Sequence, residues 1–116
     1  MILLYVPCPS LAKARKISKA LLAAGLIACA NIVKSESLYN WKGKRKEAVE
    51  FIIFAKTTQK RAKEAQKAVK SLHSYEIPCI LAIKAGANDE YARWVGSETS
   101  KNSVRAKQGL LQVGHL

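Results

Sequence analysis

Ile27-Ala28-Cys29-Ala30-Asn31-Ile32-Val33 and Val49-Glu50-Phe51-Ile52-Ile53-Phe54-Ala55-Lys56-Thr57-Thr58, joined through Leu38-Tyr39-Asn40-Trp41-Lys42-Gly43-Lys44, form the stretch on which the fold turns. Two β-rich segments flank a turn carrying Asn40 and Gly43, which predicts a hairpin. Each arm is long for a globular strand, so a bend or bulge is expected in at least one of them. Side chains alternate along a strand, placing Val49, Phe51, Ile53 and Ala55 on one face and Ala48, Glu50, Ile52 and Phe54 on the other. Both faces are substantially apolar. Ile2-Leu3-Leu4-Tyr5-Val6 and Ile80-Leu81-Ala82-Ile83 share that property, the mark of strands covered on both sides. An arm this long also reaches past one small domain, a first hint of a partner subunit.

The 116 residues allow one domain with a single core. A hydrophobic content of 49% with 24% charged residues is ordinary for a folded protein, whereas a net charge of +12 is not. That charge permits an acidic partner, although a well-solvated surface is the more economical reading. Cys8, Cys29 and Cys79 are odd in number and lack CxxC spacing, which argues against a disulfide framework and for a reducing compartment. The apolar run at the N-terminus is too short for a signal peptide, and no stretch approaches the about 18 apolar residues of a membrane span. The expectation is a cytoplasmic protein with no membrane partner.

In order, Ile2 to Val6 reads as a strand ended by Pro7 and Pro9. Ser10 caps a helix with the stripe Leu11, Ala14, Ile17 and Leu21, and Gly25 stops it. After the hairpin, Thr58 opens a second helix with the stripe Ala62, Ala65, Val69 and Leu72. Residues 73–78 form a non-helical connection, since the position before Pro78 favours extended geometry. Cys79 to Lys84 is the fourth strand, and Asn88 or Asp89 opens a short helix containing Tyr91 and Trp94. The order β-α-β-β-α-β plus a terminal helix is the ferredoxin-like α+β sandwich. Right-handed crossovers put both main helices on one face of the sheet. The opposite face, with Ile52 and Phe54, then lies open, and an exposed apolar sheet marks an association surface. Residues 1–96 form the domain, and 97–116 read as a basic tail.

The residues resemble the CutA-type divalent-cation tolerance family. The resemblance rests on Ala28-Cys29-Ala30-Asn31-Ile32, on Tyr39-Asn40-Trp41-Lys42-Gly43, on Glu50 in the strand ending Lys56-Thr57, on Leu72-His73-Ser74-Tyr75-Glu76-Ile77-Pro78, and on Tyr91-Ala92-Arg93-Trp94. It implies a PII-like homotrimer whose long hairpins interlock, tolerance to divalent metals, binding of Cu(II) or another divalent cation, and no agreed catalytic reaction. This chain departs from the family where His73-Ser74-Tyr75 replaces His-Pro-Tyr, where Ile77 replaces a common Thr, where Cys79 follows Pro78, and where Lys42-Gly43-Lys44-Arg45-Lys46 replaces an often acidic turn.

Candidate metal ligands are His73, whose imidazole suits copper and zinc, the soft thiol of Cys79, and the carboxylate of Glu76. Three donors in one loop leave a site that another subunit must complete. The competing reading of His73 is a loop histidine bonded to backbone at a subunit contact. Tyr39, Trp41 and Tyr75 either line an intersubunit cleft or anchor the interface, and anchoring is favoured. Glu50 shares a face with Ile52 and Phe54 and needs a partner, such as Lys56 or an arginine, unless it serves a site. Cys29 reads as a buried small hydrophobe, and Cys8, between two prolines, as the more accessible thiol. Lys42, Lys44, Arg45 and Lys46 suit phosphate, yet no aromatic platform of the RRM type accompanies them, so nucleic acid is disfavoured. No Gly-rich phosphate loop, nucleophile elbow or HExxH is present, and no enzyme is expected. Two functions fit: a copper-like metal tolerance protein acting as a homotrimer, or a PII-like regulatory or scaffold trimer holding a small ligand or protein partner in its clefts.

Overall fold

A computed structural model describes residues 1–100. The basic segment from residue 101, with His115, lies outside the described residues. The elements run β1 (Ile2–Cys8), α1 (Leu11–Ala23), β2 (Cys29–Trp41), β3 (Lys44–Thr57), α2 (Gln59–Leu72), β4 (Leu81–Lys84) and α3 (Asp89–Glu98). The four strands form one sheet in the order β2-β3-β1-β4, with every neighbouring pair antiparallel. This is the ferredoxin-like arrangement that the element order predicts.

Local chemistry sets the boundaries. Ser10 keeps an extended backbone, and its Oγ accepts the Lys13 N–H at 3.0 Å, which caps α1. At the other end Gly25 takes φ +67°. Its N–H reaches Leu22 O and the Leu26 N–H reaches Leu21 O at 2.9 Å, a pair of bonds that reverses the chain after a helix. Thr58 holds the capping position of α2 with extended backbone but without a side-chain bond. Ala14, Ile17 and Leu21 of α1 meet Ala62, Ala65 and Val69 of α2 over Leu4, Val6, Ile53 and Ala55 of the sheet. The small residues of α2 let it lie close. Leu11, at the start of the α1 stripe, stays largely in solvent.

The hairpin differs from expectation in two ways. Its register is unbroken from Cys29↔Lys56 to Trp41↔Lys44, so neither arm contains a bulge. The turn consists of Lys42 and Gly43, at φ +50° and +78°, while Asn40 lies in β2 opposite Arg45 and accepts its Nε–H at 3.1 Å. Two consecutive positive φ values are the turn geometry whose twist matches the flanking strands. Glycine suits it; lysine does not.

β1 is also longer than its prolines suggest. It continues to Cys8, with Pro7 opposite Ile52 and Cys8 opposite Phe51. On its other edge β4 reaches only Tyr5, so Pro7 has no donor to supply there. Strand alternation then carries Cys8 onto the helix-facing side with Leu4 and Val6, where it is fully buried rather than accessible. β4 itself begins at Leu81, two residues after Cys79. The face opposite the main helices is only partly open. Its Cys29 interacts with Tyr91 of α3, α3 buries Val95, and the 73–79 connection covers Glu50. Tyr5 and Phe54 pack edge to face there, while Val33, Leu81 and Ile83 remain exposed.

Two outcomes follow. Gly43→Ala has open space for its Cβ, so only the positive φ opposes it, and it should destabilise by about 1 kcal/mol. Lys42→Asn should instead raise the urea midpoint, since asparagine tolerates this conformation better than lysine. Burial, aided by the charge of Glu50, pushes the Cys8 thiol up to about 11 from 9.0. Between those values the unfolded chain releases a proton that the folded chain keeps, so stability falls as pH rises through this window. Urea unfolding from pH 8 to 11 should show that decline, with a shallower slope in Cys8→Ala.

Candidate functional site

A cavity of about 660 Å³ opens between the hairpin and the 73–79 connection. Its back wall is held by a relay that starts at the end of α2. His73 leaves the helix in extended geometry, and its N–H still bonds to Val69 O at 2.9 Å. Its Nε2 lies 2.7 Å from Pro7 O and its Nδ1 accepts the Tyr75 N–H at 3.2 Å. A ring that donates through Nε2 and accepts through Nδ1 is the neutral tautomer. The imidazole also packs at 4.7 Å against the Tyr75 ring, and the Tyr75 hydroxyl donates to Glu50 Oε2 at 2.7 Å. Glu50 is 9% exposed, so this bond satisfies part of a nearly buried carboxylate.

The Glu50 charge extends through the site. The Tyr75 hydroxyl is held above its ordinary range by burial, then by its hydrogen bond to Glu50 and by the charge of Glu50. Burial and then Glu50 raise the Cys79 thiol as well. Both groups are therefore neutral at pH 7.

Six residues singled out from the sequence meet here: Tyr39, Trp41, Glu50, Tyr75, Glu76 and Cys79 all line the cavity. His73 does not line it. Both ring nitrogens face away into the relay, and direct ligation would require breaking one of those bonds. Glu50 takes its hydrogen bond from Tyr75, not from Lys56, whose ammonium is bonded to Asn31 and lies 3.8 Å from Cys29 Sγ. Among the described residues, no group of three or more His, Cys, Asp and Glu side chains is arranged to hold a metal ion.

Lys42 is the residue that sequence reasoning misplaced. Counted as part of a basic tip, it instead turns back toward the cavity. Its Nζ lies 5.6 Å from the centre of the Trp41 ring and 3.9 Å from Glu76 Oε2. The usable signal was its position as the first residue of a two-residue turn directly after Trp41. Ser37 and Leu38 also join the wall, and a hairpin register counted back from that turn would have found them.

Known proteins share both this sequence and this fold. The family pattern described as CutA1 divalent ion tolerance protein matches residues 2–98. The divalent-cation tolerance protein CutA of Archaeoglobus fulgidus is 39% identical over 93 residues, covering 79% of this chain and 91% of that protein. The solved structure from that organism, described as periplasmic, superposes with a TM-score of 0.83 at 36% identity, covering 86% of this chain and 100% of the other. CutA1 of Pyrococcus horikoshii gives a TM-score of 0.84 at 35% identity, covering 87% and 100% respectively. A chloroplastic CutA of Arabidopsis thaliana is 32% identical over 106 residues, covering 90% of this chain and 56% of that protein. A family match over residues 2–98, with relatives of this identity and coverage, means that the chain belongs to the CutA1 divalent ion tolerance family.

Proposed function

We propose that the protein binds a divalent, copper-like cation as a homotrimer and acts in tolerance to that ion without catalysing a reaction. The observation that carries this reading is the presence of Glu76 and Cys79 on the wall of one cavity in a chain of the divalent ion tolerance family. A thiolate is a soft donor suited to copper-like ions, and a carboxylate adds a harder oxygen donor for a divalent cation. Two donors do not complete a coordination sphere, so further ligands come from water or a neighbouring copy. His73 contributes by placing the loop through its bond to Pro7 O, as outer-shell partners orient metal ligands.

Association has its own support. The sheet exposes Val33, Leu81 and Ile83 on the face opposite α1 and α2, and Trp94 of α3 is exposed as well. The β2–β3 ribbon runs on from Ser35↔Glu50 to Trp41↔Lys44, past the last residue that pairs with β1. A ribbon projecting this far gains stability by lying on another copy. We place the protein in the cytoplasm on the strength of three unpaired cysteines.

Calorimetric Cu(II) titration with thiols reduced beforehand, beside light scattering, tests the reading. The wild type should scatter with three times the mass of the chain and bind Cu(II) stoichiometrically. Cys79→Ser and Glu76→Gln should lose most of the affinity, and His73→Ala should lose about 10–100-fold through loop placement. Equal, weak binding in all four proteins would overturn the metal reading and leave the PII-like trimer with a ligand or partner in its clefts. The raised Cys79 thiol is protonated at neutral pH and must release its proton to bind metal. Cu(II) affinity should therefore climb with pH by about tenfold per unit below that thiol's pKa, and Cys79→Ser should flatten the dependence.

A further inference from the structure

The lining of the cavity opposes the charge of the chain around it. The protein has 20 Lys and Arg against 8 Asp and Glu, a net charge of +12. Yet among the described residues no lysine or arginine lines the cavity, while Glu50 and Glu76 belong to its wall. Tyr39, Trp41 and Tyr75 supply aromatic surface. Carboxylates beside aromatic faces are the composition that recognises a positively charged organic group.

The turn provides an internal example of such recognition. The Lys42 ammonium stands over Trp41 and beside Glu76, at 5.6 Å from the ring centre and 3.9 Å from the carboxylate oxygen. It does so from a backbone at φ +50°, a conformation that a lysine adopts against its own preference. Departures from local preference cluster where function sets the geometry.

We propose that the cavity binds a small organic cation bearing a primary ammonium group. The ligand's ammonium takes the place between Trp41 and Glu76 that Lys42 now holds, and its body runs between the aromatic side chains toward Glu50. Lys42 and Glu76 are 72% and 71% exposed, so their mutual hold is weak and yields readily. Glu50 offers the entering cation more, because its carboxylate is nearly buried and Tyr75 is its one side-chain hydrogen-bond partner among the described residues. A volume of about 660 Å³ also suits a molecule of several heavy atoms better than a bare ion. The inference shares this cavity with the metal reading but does not use the Cys79 thiol and stands without it.

The test uses Trp41 fluorescence in a Trp94→Phe background, with 1,4-diaminobutane as the probe, 1,4-butanediol as its neutral counterpart, and EDTA present. The diamine should produce a saturable change and the diol none. Glu76→Gln, at an exposed position that does not threaten folding, should weaken diamine binding about threefold to tenfold, and Lys42→Met should tighten it by a similar factor. The proposal is overturned by no saturable response to the diamine, by an equal response to the diol, or by affinities indifferent to both substitutions. Cu(II) titration of the same preparation without EDTA separates the two readings: a silent diamine beside intact Cu(II) binding removes only the organic cation, and the reverse removes only the metal.

Discussion

The structure depends on β3 being paired along both edges for only half its length. From Phe51 to Lys56 it lies between β1 and β2, and from Lys44 to Glu50 it keeps β2 alone. The sheet thus narrows from a packed layer to a two-stranded ribbon between Phe51 and Glu50. Glu50 is the first residue past that step. A carboxylate inside the layer would need full compensation, and one farther along the ribbon would simply be solvated. At the step it is nearly buried yet within reach of the 73–79 connection, and Tyr75 meets it there. The cavity exists because the connection must cover this corner while the ribbon leaves it behind.

Much of this was readable from the residues. The period-two alternation of β3, the helix stripes, Ser10 and Gly25 each state a local preference that agrees with the global fold, and such agreement makes element order legible. What escaped reading were consequences of pairing extent. Pro7 reads as a strand end because the shortness of β4, which frees one edge of β1, is not written near Pro7. Asn40 reads as a turn residue because its type favours turns, whereas strand register puts Lys42 there. Half of the cavity residues carry a signal in the sequence, but as two separate groups. Only the fold brings Glu76 and Cys79 against Tyr39 and Trp41.

His73 shows why residue type alone is a weak guide to a site. An imidazole next to a carboxylate and a thiol in sequence suggests a ligand set. In space the ring sits behind the wall, where its two nitrogens serve opposite functions toward Pro7 and Tyr75. It secures the end of α2 to the end of β1 and orients Tyr75 in the same act. Geometry at this corner therefore depends on one neutral ring.

The central place of β1 bears on how the chain reaches its native state. Leu4 pairs with Ala55 on one side and Ala82 on the other, so the first-made strand of this sheet is bracketed by two that emerge much later. The β2–β3 ribbon closes across a two-residue turn and can zip locally, within microseconds. β1 cannot join it until the loop containing α1 has closed, and its second edge waits for nearly the whole domain. Contacts of such sequence separation slow folding. Throughout that wait an apolar strand is without partners, the condition under which nascent chains associate wrongly. The lysines and arginines distributed over α1 and the hairpin tip emerge in the same interval, and charge of one sign opposes such association.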